Sequence, residues 1–274
     1  MFQKFSAFCK LYRADVLILS FLAFFAGRLL SNGRFDTFFL IQSVFIALFP
    51  YNFVYTLNSI TDIIEDSANK PWRPLPSGVV SRRDAVLWLL FITLCSISGT
   101  VILFEGWEKI LVFSILVFGI FYSLPPFVLK KHAFIAQFFT GLGISYPMII
   151  AGGISFLPFS ASLLLHVWGV TALKDLSDFK GDCLAGRNVK KMPGIGKAYT
   201  LSTFLIIFSI AGFLMTQFKI AVIMPISSLF ILFSNYCSRK KDFNETIYGK
   251  MIFTTGVSAV VALLIIFVRN FTNV

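Results

Sequence analysis

Carboxylates are scarce in this sequence: 274 residues include only 13 Asp and Glu, and all charged residues together make up 14%, against roughly 25% in an ordinary soluble domain. That shortage excludes a water-exposed surface of the usual kind. With 57% hydrophobic residues and a mean hydropathy of +0.82, the chain reads as an integral membrane protein. Histidine is scarcer still. His132 and His166 stand alone, neither with a second His or Cys at metal spacing, so both are expected at an interface or hydrogen-bonded in the packing. The four cysteines, Cys9, Cys95, Cys183 and Cys237, form no CxxC pair, which leaves neither a zinc pattern nor a disulfide framework. The net charge of +11 would suggest nucleic acid in a soluble protein. In a membrane protein the distribution of Lys and Arg over alternate loops carries the information, and no nucleic-acid partner is expected.

What the sequence has instead is a succession of apolar runs, near 15–31, 37–57, 85–104, 109–124, 133–156, 157–173, 198–216, 219–236 and 247–268. Several are long enough to cross about 30 Å of hydrocarbon. They predict an all-α, multi-pass fold of nine transmembrane helices in a single domain over 1–274. The first run follows Lys4, Lys10 and Arg13 like a signal peptide, but no small-residue cleavage site follows it, so it reads as a retained helix. With the N-terminus cytoplasmic, only Arg28, Arg34, Lys109, Lys219 and Arg269 of the 24 Lys and Arg fall on the far side, leaving 19 inside. The expected location is the cell membrane, with the C-terminus outside.

Six of the 13 acidic residues fall in two short windows, Asp62, Glu65 and Asp66 in the first and Asp175, Asp178 and Asp182 in the second. Both windows lie at the cytoplasmic ends of apolar runs under this topology. Asn58, Asp62 and Asp66 are four residues apart and share one helix face, rising about 6 Å per step. Two carboxylates and an amide oxygen are hard ligands suited to Mg2+, which takes one or two protein carboxylates and completes its shell with water and substrate phosphate. The implied ligand is a diphosphate. Asp175, Asp178 and Asp182 share a face in the same way. The bland alternative, carboxylates that only cap helix ends, explains the duplication poorly. A transporter using them for cation coupling would place them near the bilayer midplane in broken helices rather than beside basic loops.

Between and after these clusters lie proline-rich and glycine-rich loops. Pro71, Pro74, Pro76 and Gly78 prevent a continuous helix over 69–81 and hold Arg73 in an ordered loop. Ser81 is a good N-cap for the next helix, with Asp84 three residues on. Pro125 and Pro126 stop the helix before Lys130 and Lys131, a pair that by itself is only a topology signal. Gly141, Gly143, Gly152 and Gly153 allow close helix approach in lipid.

Together, Asn58-x3-Asp62-x3-Asp66, Arg73-Pro74-Leu75-Pro76-Ser77-Gly78, Tyr122-Ser123-x-Pro125-Pro126-x3-Lys130 and Lys174-Asp175-x2-Asp178-x2-Gly181-Asp182-x3-Gly186 resemble the UbiA superfamily of intramembrane prenyltransferases. The second acidic motif is similar to the branch of homogentisate prenyltransferases, chlorophyll synthases and archaeal digeranylgeranylglyceryl phosphate synthases. The resemblance implies nine helices around a central cavity, with cytoplasmic cap loops over its mouth. It also implies two Mg2+ ions, one at Asn58, Asp62 and Asp66 and the other at Asp178 and Asp182 with Asp175 nearby, and Arg73 and Lys130 on the diphosphate, with Asn58 beside them. The expected substrates are a polyprenyl diphosphate and a lipophilic, aromatic acceptor, in contact with membrane lipid. Two positions depart from the pattern. Ser59 stands where many members have a further Asp, and Val189-Lys190-Lys191-Met192-Pro193 replaces the usual Thr-Leu-Pro. The second departure keeps open a terpene cyclase of the same superfamily, in which the chain's own double bonds capture the cation.

Overall fold

A computed structural model of the protein describes residue 11 and residues 14–32, 36–173, 195–215 and 223–238. Every regular element among them is helical. The helices are α1 Ala14–Asn32, α2 Thr37–Thr61, α3 Ile63–Asn69, α4 Arg82–Leu103, α5 Gly106–Ser123, α6 Ala133–Gly152, α7 Leu157–Thr171, α8 Ile195–Met215 and α9 Ile223–Ser238. Six helical segments among the described residues are long and apolar enough to cross a membrane: α2, α4, α5, most of α6 and α8, and α7 with the 3-10 turn Ile154–Phe156 that precedes it. The apolar run expected over 247–268 lies outside the described residues.

The polarity of α4 argues for lipid around it. Its inward residues are small or polar, with Ala85, Ser96 and Thr100 buried beside Ile92, while Leu87, Leu90, Phe91, Leu94, Ile97 and Val101 are exposed. A water-soluble helix has the reverse pattern, and an exposed stripe of this size would be a liability in water. The inward hydroxyls are satisfied within the helix, Ser96 Oγ donating to the Ile92 carbonyl at 2.8 Å and Thr100 Oγ1 to that of Ser96 at 2.6 Å. Hydrocarbon offers no other partner.

The described chain divides into two compact units, the first made of 11, 14–21 and 40–132 and the second of 22–32, 36–39, 133–173, 195–215 and 223–238. In the first, α2 packs on α4 and α5 through buried Phe53, Leu57, Ile92 and Leu116. The sequence reading treats α2 as a regular helix, but residues Ala47–Tyr51 form a π turn around Pro50. Proline has no N–H to give and its ring crowds the carbonyl four residues back, so the helix widens there. The Asn52 side-chain Nδ2 donates to the Leu48 carbonyl at 3.3 Å, and α-helical geometry resumes from Asn52. In the second unit α7 packs on α6 and α8, and α8 on α9. Their core holds Val170, Leu173, Tyr199, Ile206 and Ile231. His166 is fully buried there with Nδ1 2.9 Å from Ser228 Oγ, a packing role in line with its isolated position in the sequence.

Gly141 does what a small residue in a membrane helix is expected to do. A Cβ there would meet the Leu164 carbonyl oxygen at 2.9 Å, a backbone atom of α7 that cannot swing aside. Gly196 faces open space. Gly141→Ala should therefore lower stability by about 1–3 kcal/mol, whereas Gly196→Ala should be neutral or stabilising by up to about 1 kcal/mol. Thermal unfolding in detergent measures both, and a Gly141→Ala variant as stable as the parent would mean that α6 and α7 separate freely at this point.

Candidate active site

The first acidic motif sits where α2 ends. One continuous helix through Asn58, Asp62 and Asp66 is the sequence expectation, and the structure corrects it. Asp62 leaves the helical region at φ −102°, ψ 17°, closing α2 and opening the short α3. The four-residue hydrogen bonds nevertheless persist across the break, Asp62 N to Asn58 O at 2.9 Å and Asp66 N to Asp62 O at 2.8 Å. Asp tolerates this sparsely populated bridge conformation, which recurs at functional sites.

Both carboxylates are buried, Asp62 at 8% and Asp66 at 5% exposure, and each has a cation. Lys130 Nζ lies 2.5 Å from Asp62 Oδ1, and Arg73 Nη1 lies 2.6 Å from Asp66 Oδ2. The other Asp62 oxygen, Oδ2, accepts from Asn58 Nδ2 at 2.7 Å. Turning the Asn58 amide over would set oxygen against carboxylate oxygen, so the network itself assigns Oδ1 to the opposite side. There Asn58 Oδ1 is buried and makes no hydrogen bond. An orphaned amide oxygen on the residue that pairs with Asp62 adds a hard donor to the two carboxylates of the motif, and the chemistry of that set fits a Mg2+ ion better than it fits a packed helix end.

Arg73 is held by a self-bonded loop. Ser77 N donates to Arg73 O at 3.0 Å and Val80 N to Pro74 O at 3.0 Å, while Gly78 takes φ +74°, which favours glycine. Leu75 and Val80 fasten the loop by burying against Leu11, Ile60 and Ala85. Ser81 Oγ then accepts from Asp84 N at 3.1 Å and opens α4, as the capping pattern predicts.

Lys130 reaches the site from the other end of the first unit. α5 stops at Ser123, ahead of Pro125 and Pro126, and the next turn passes through Val128 at φ 43°, ψ 54°. For a β-branched residue this left-handed geometry is an outlier, the kind of local strain that concentrates at functional positions. It leads into a single 3-10 turn, Leu129–Lys131, that buries Lys130 at 4% exposure and leaves Lys131 exposed. Lys130 Nζ also donates to Thr61 Oγ1 at 2.5 Å. Thr61 was not singled out by the sequence reading. Its only local signal is its place directly before Asp62, and its partner is 69 positions away.

The structure thus brings Asn58, Asp62, Asp66, Arg73 and Lys130 together. Asp175, Asp178 and Asp182, with the loop that follows them, lie outside the described residues. Among the described residues no three His, Cys, Asp or Glu side chains converge. What remains is a charge-balanced pair of carboxylate–cation contacts, buried at Asp62–Lys130 and part-buried at Asp66–Arg73. Asp62 and Asp66 are the residues that would hold a metal ion here, and Lys130 and Arg73 the ones that would meet an anionic oxygen.

Comparison with known proteins gives the family and the fold. Residues 19–255 match the UbiA prenyltransferase family. The chain is 27% identical over 235 residues to the probable homogentisate phytyltransferase 2 of Oryza sativa subsp. japonica, covering 76% of this chain. It spans only about three fifths, 62%, of that relative's length. The fold resembles the solved structure of a digeranylgeranylglyceryl phosphate synthase with a TM-score of 0.71 at 20% identity, covering 98% of this chain and 99% of the other. It also resembles a UbiA homologue from Archaeoglobus fulgidus bound to GPP and Mg2+, with a TM-score of 0.68 at 15% identity over 95% and 99% of the two chains.

Proposed function

Because the chain belongs to the UbiA prenyltransferase family, we propose that it moves the polyprenyl group of a prenyl diphosphate to a lipophilic, aromatic acceptor within the membrane, with Mg2+ required and diphosphate released. The observation that carries this reading is the pair of carboxylate–cation contacts, Asp62 with Lys130 and Asp66 with Arg73, together with a buried Asn58 oxygen that makes no hydrogen bond. The Archaeoglobus homologue bound to GPP and Mg2+ supports the same ligand chemistry.

Two Mg2+ ions, one held by Asn58, Asp62 and Asp66 and the other by Asp175, Asp178 and Asp182, would supply neutralisation of the leaving diphosphate. Lys130 and Arg73 bind its phosphate oxygens. Negative charge on those oxygens grows as the C–O bond breaks, so these two cations attract the transition state more strongly than the ground state. No protein nucleophile is needed. The acceptor carbon captures C1 of the prenyl group once held within about 3–3.5 Å of it, and then loses its proton. Apolar helix faces keep water from the reacting carbon.

This reading carries nine membrane helices with the site mouth and N-terminus cytoplasmic and the C-terminus outside, because 19 of 24 Lys and Arg, all but Arg28, Arg34, Lys109, Lys219 and Arg269, fall on one side.

The test is diphosphate release from geranyl diphosphate and longer homologues with Mg2+, in the presence and absence of candidate aromatic acceptors. Release is expected to depend strongly on the acceptor, with the prenylated acceptor identified by mass. The replacement of Thr-Leu-Pro by residues 189–193 keeps a second reading open, acceptor-free cyclisation. Full-rate release without acceptor, together with a cyclic terpene, establishes that second reading and overturns the first.

A further inference from the structure

Lys130 Nζ is held by two adjacent residues at the same distance, Thr61 Oγ1 and Asp62 Oδ1, both at 2.5 Å. Adjacent positions on a regular helix diverge by about 100° and do not face one partner. Here they converge at the point where Asp62 leaves helical geometry. The Thr61 hydroxyl proton is engaged within α2, pointing to the Leu57 carbonyl at 3.1 Å and the Asn58 carbonyl at 3.0 Å. That back-bond fixes the rotamer, and toward Lys130 the hydroxyl can only accept.

The two anchors differ in kind. Asp62 neutralises the ammonium, and under the proposed reaction its lone pairs are the ones a metal ion takes. Thr61 is uncharged and has no competing ligand. We propose that Thr61 is a positioning residue: it keeps the Lys130 ammonium aimed at the diphosphate when Asp62 turns to the metal, and it leaves the full positive charge available for the phosphate oxygens. The proposal rests on the prenyl diphosphate reading given above.

The experiment measures the affinity of detergent-purified protein for geranyl diphosphate in the presence of Mg2+, by the shift in thermal unfolding midpoint and by direct titration. The variants are Thr61→Val, Thr61→Ser, Lys130→Met and the double variant Thr61→Val/Lys130→Met. Thr61→Val, which removes the acceptor at constant shape, should weaken binding about tenfold or more, the usual size for residues that orient a ligand group. Thr61→Ser should restore near-parental binding, because the hydroxyl returns. The double variant should bind no worse than Lys130→Met alone, because Thr61 acts through Lys130. Parental binding by Thr61→Val, or additive losses in the double variant, overturns the positioning role while leaving the site assignment in place. Parental binding by Lys130→Met removes Lys130 from the diphosphate and overturns the positioning role with it, while the prenyl diphosphate reading then stands on Asp62, Asp66 and Arg73. A Thr61→Val loss that Thr61→Ser does not rescue also overturns the proposal, since that outcome reports the fold of α2 rather than the hydroxyl.

Discussion

Asp62→Asn should lower turnover by about 10²–10³-fold, the scale of losing one preorganised electrostatic contact at the reacting charge, and raising Mg2+ should not restore it. The argument starts from geometry. Asp62 is 8% exposed, with one oxygen on Lys130 and the other on Asn58. An amide keeps the shape and one acceptor oxygen, which stays on Lys130, while its NH2 faces Asn58, whose amide can turn over to offer its oxygen. The fold should therefore survive. Charge is what disappears: Lys130, buried at 4% exposure, loses its counter-ion, and the hard-donor set loses a carboxylate. Stability should fall by about 3–5 kcal/mol, the cost of leaving the buried ammonium without its counter-ion rather than of a cavity. Steady-state kinetics over a Mg2+ series and thermal unfolding read the two effects separately. Turnover within a few-fold of the parent would remove Asp62 from the metal, and the first acidic motif would revert to a helix-end structure.

Lys130→Met should lower kcat/KM for the prenyl diphosphate by about 10²–10³-fold, with KM raised and kcat reduced together. Both must move if Lys130 meets the phosphate, since the charge it faces is present in the ground state and larger in the transition state. Methionine matches the length of the lysine stem and fills the same buried path. The substitution also leaves the Asp62 carboxylate buried without its cation, a break that costs about 3–5 kcal/mol in buried pairs. Adding Asp62→Asn to it should recover part of that stability and none of the activity. Lys131→Met is the matched control: its side chain is exposed, and the variant should behave as the parent does. An effect confined to the KM of the acceptor would assign Lys130 to the second substrate instead.

Much of the local architecture was legible because it obeys short-range rules. Ser81 caps α4 as its spacing with Asp84 suggests. α5 stops before Pro125 and Pro126 because the residue ahead of a proline avoids helical geometry. Gly141 sits against the α7 backbone as a small residue in a membrane helix should. The four-residue spacing of Asn58, Asp62 and Asp66 survives even the break in the helix that carries them, since the hydrogen bonds from Asp62 N and Asp66 N still reach back four residues. The break itself was not legible. Nor was the π turn of α2, although Pro50 in the middle of an apolar run is a signal for one.

The sequence by itself determined a helical membrane protein with its rare carboxylates gathered into two windows beside basic loops, because hydropathy, charge count and i to i+4 spacing are properties of neighbouring residues. Which of two adjacent lysines is buried, which carboxylate each cation meets, and that Thr61 shares Lys130 with Asp62 were decided only by tertiary structure. The contacts of Lys130 join positions 68 and 69 residues apart, through a left-handed Val128 and an Asp62 that leaves helical geometry. Such backbone is held by the packing and pairing around it, and no local pattern announces it.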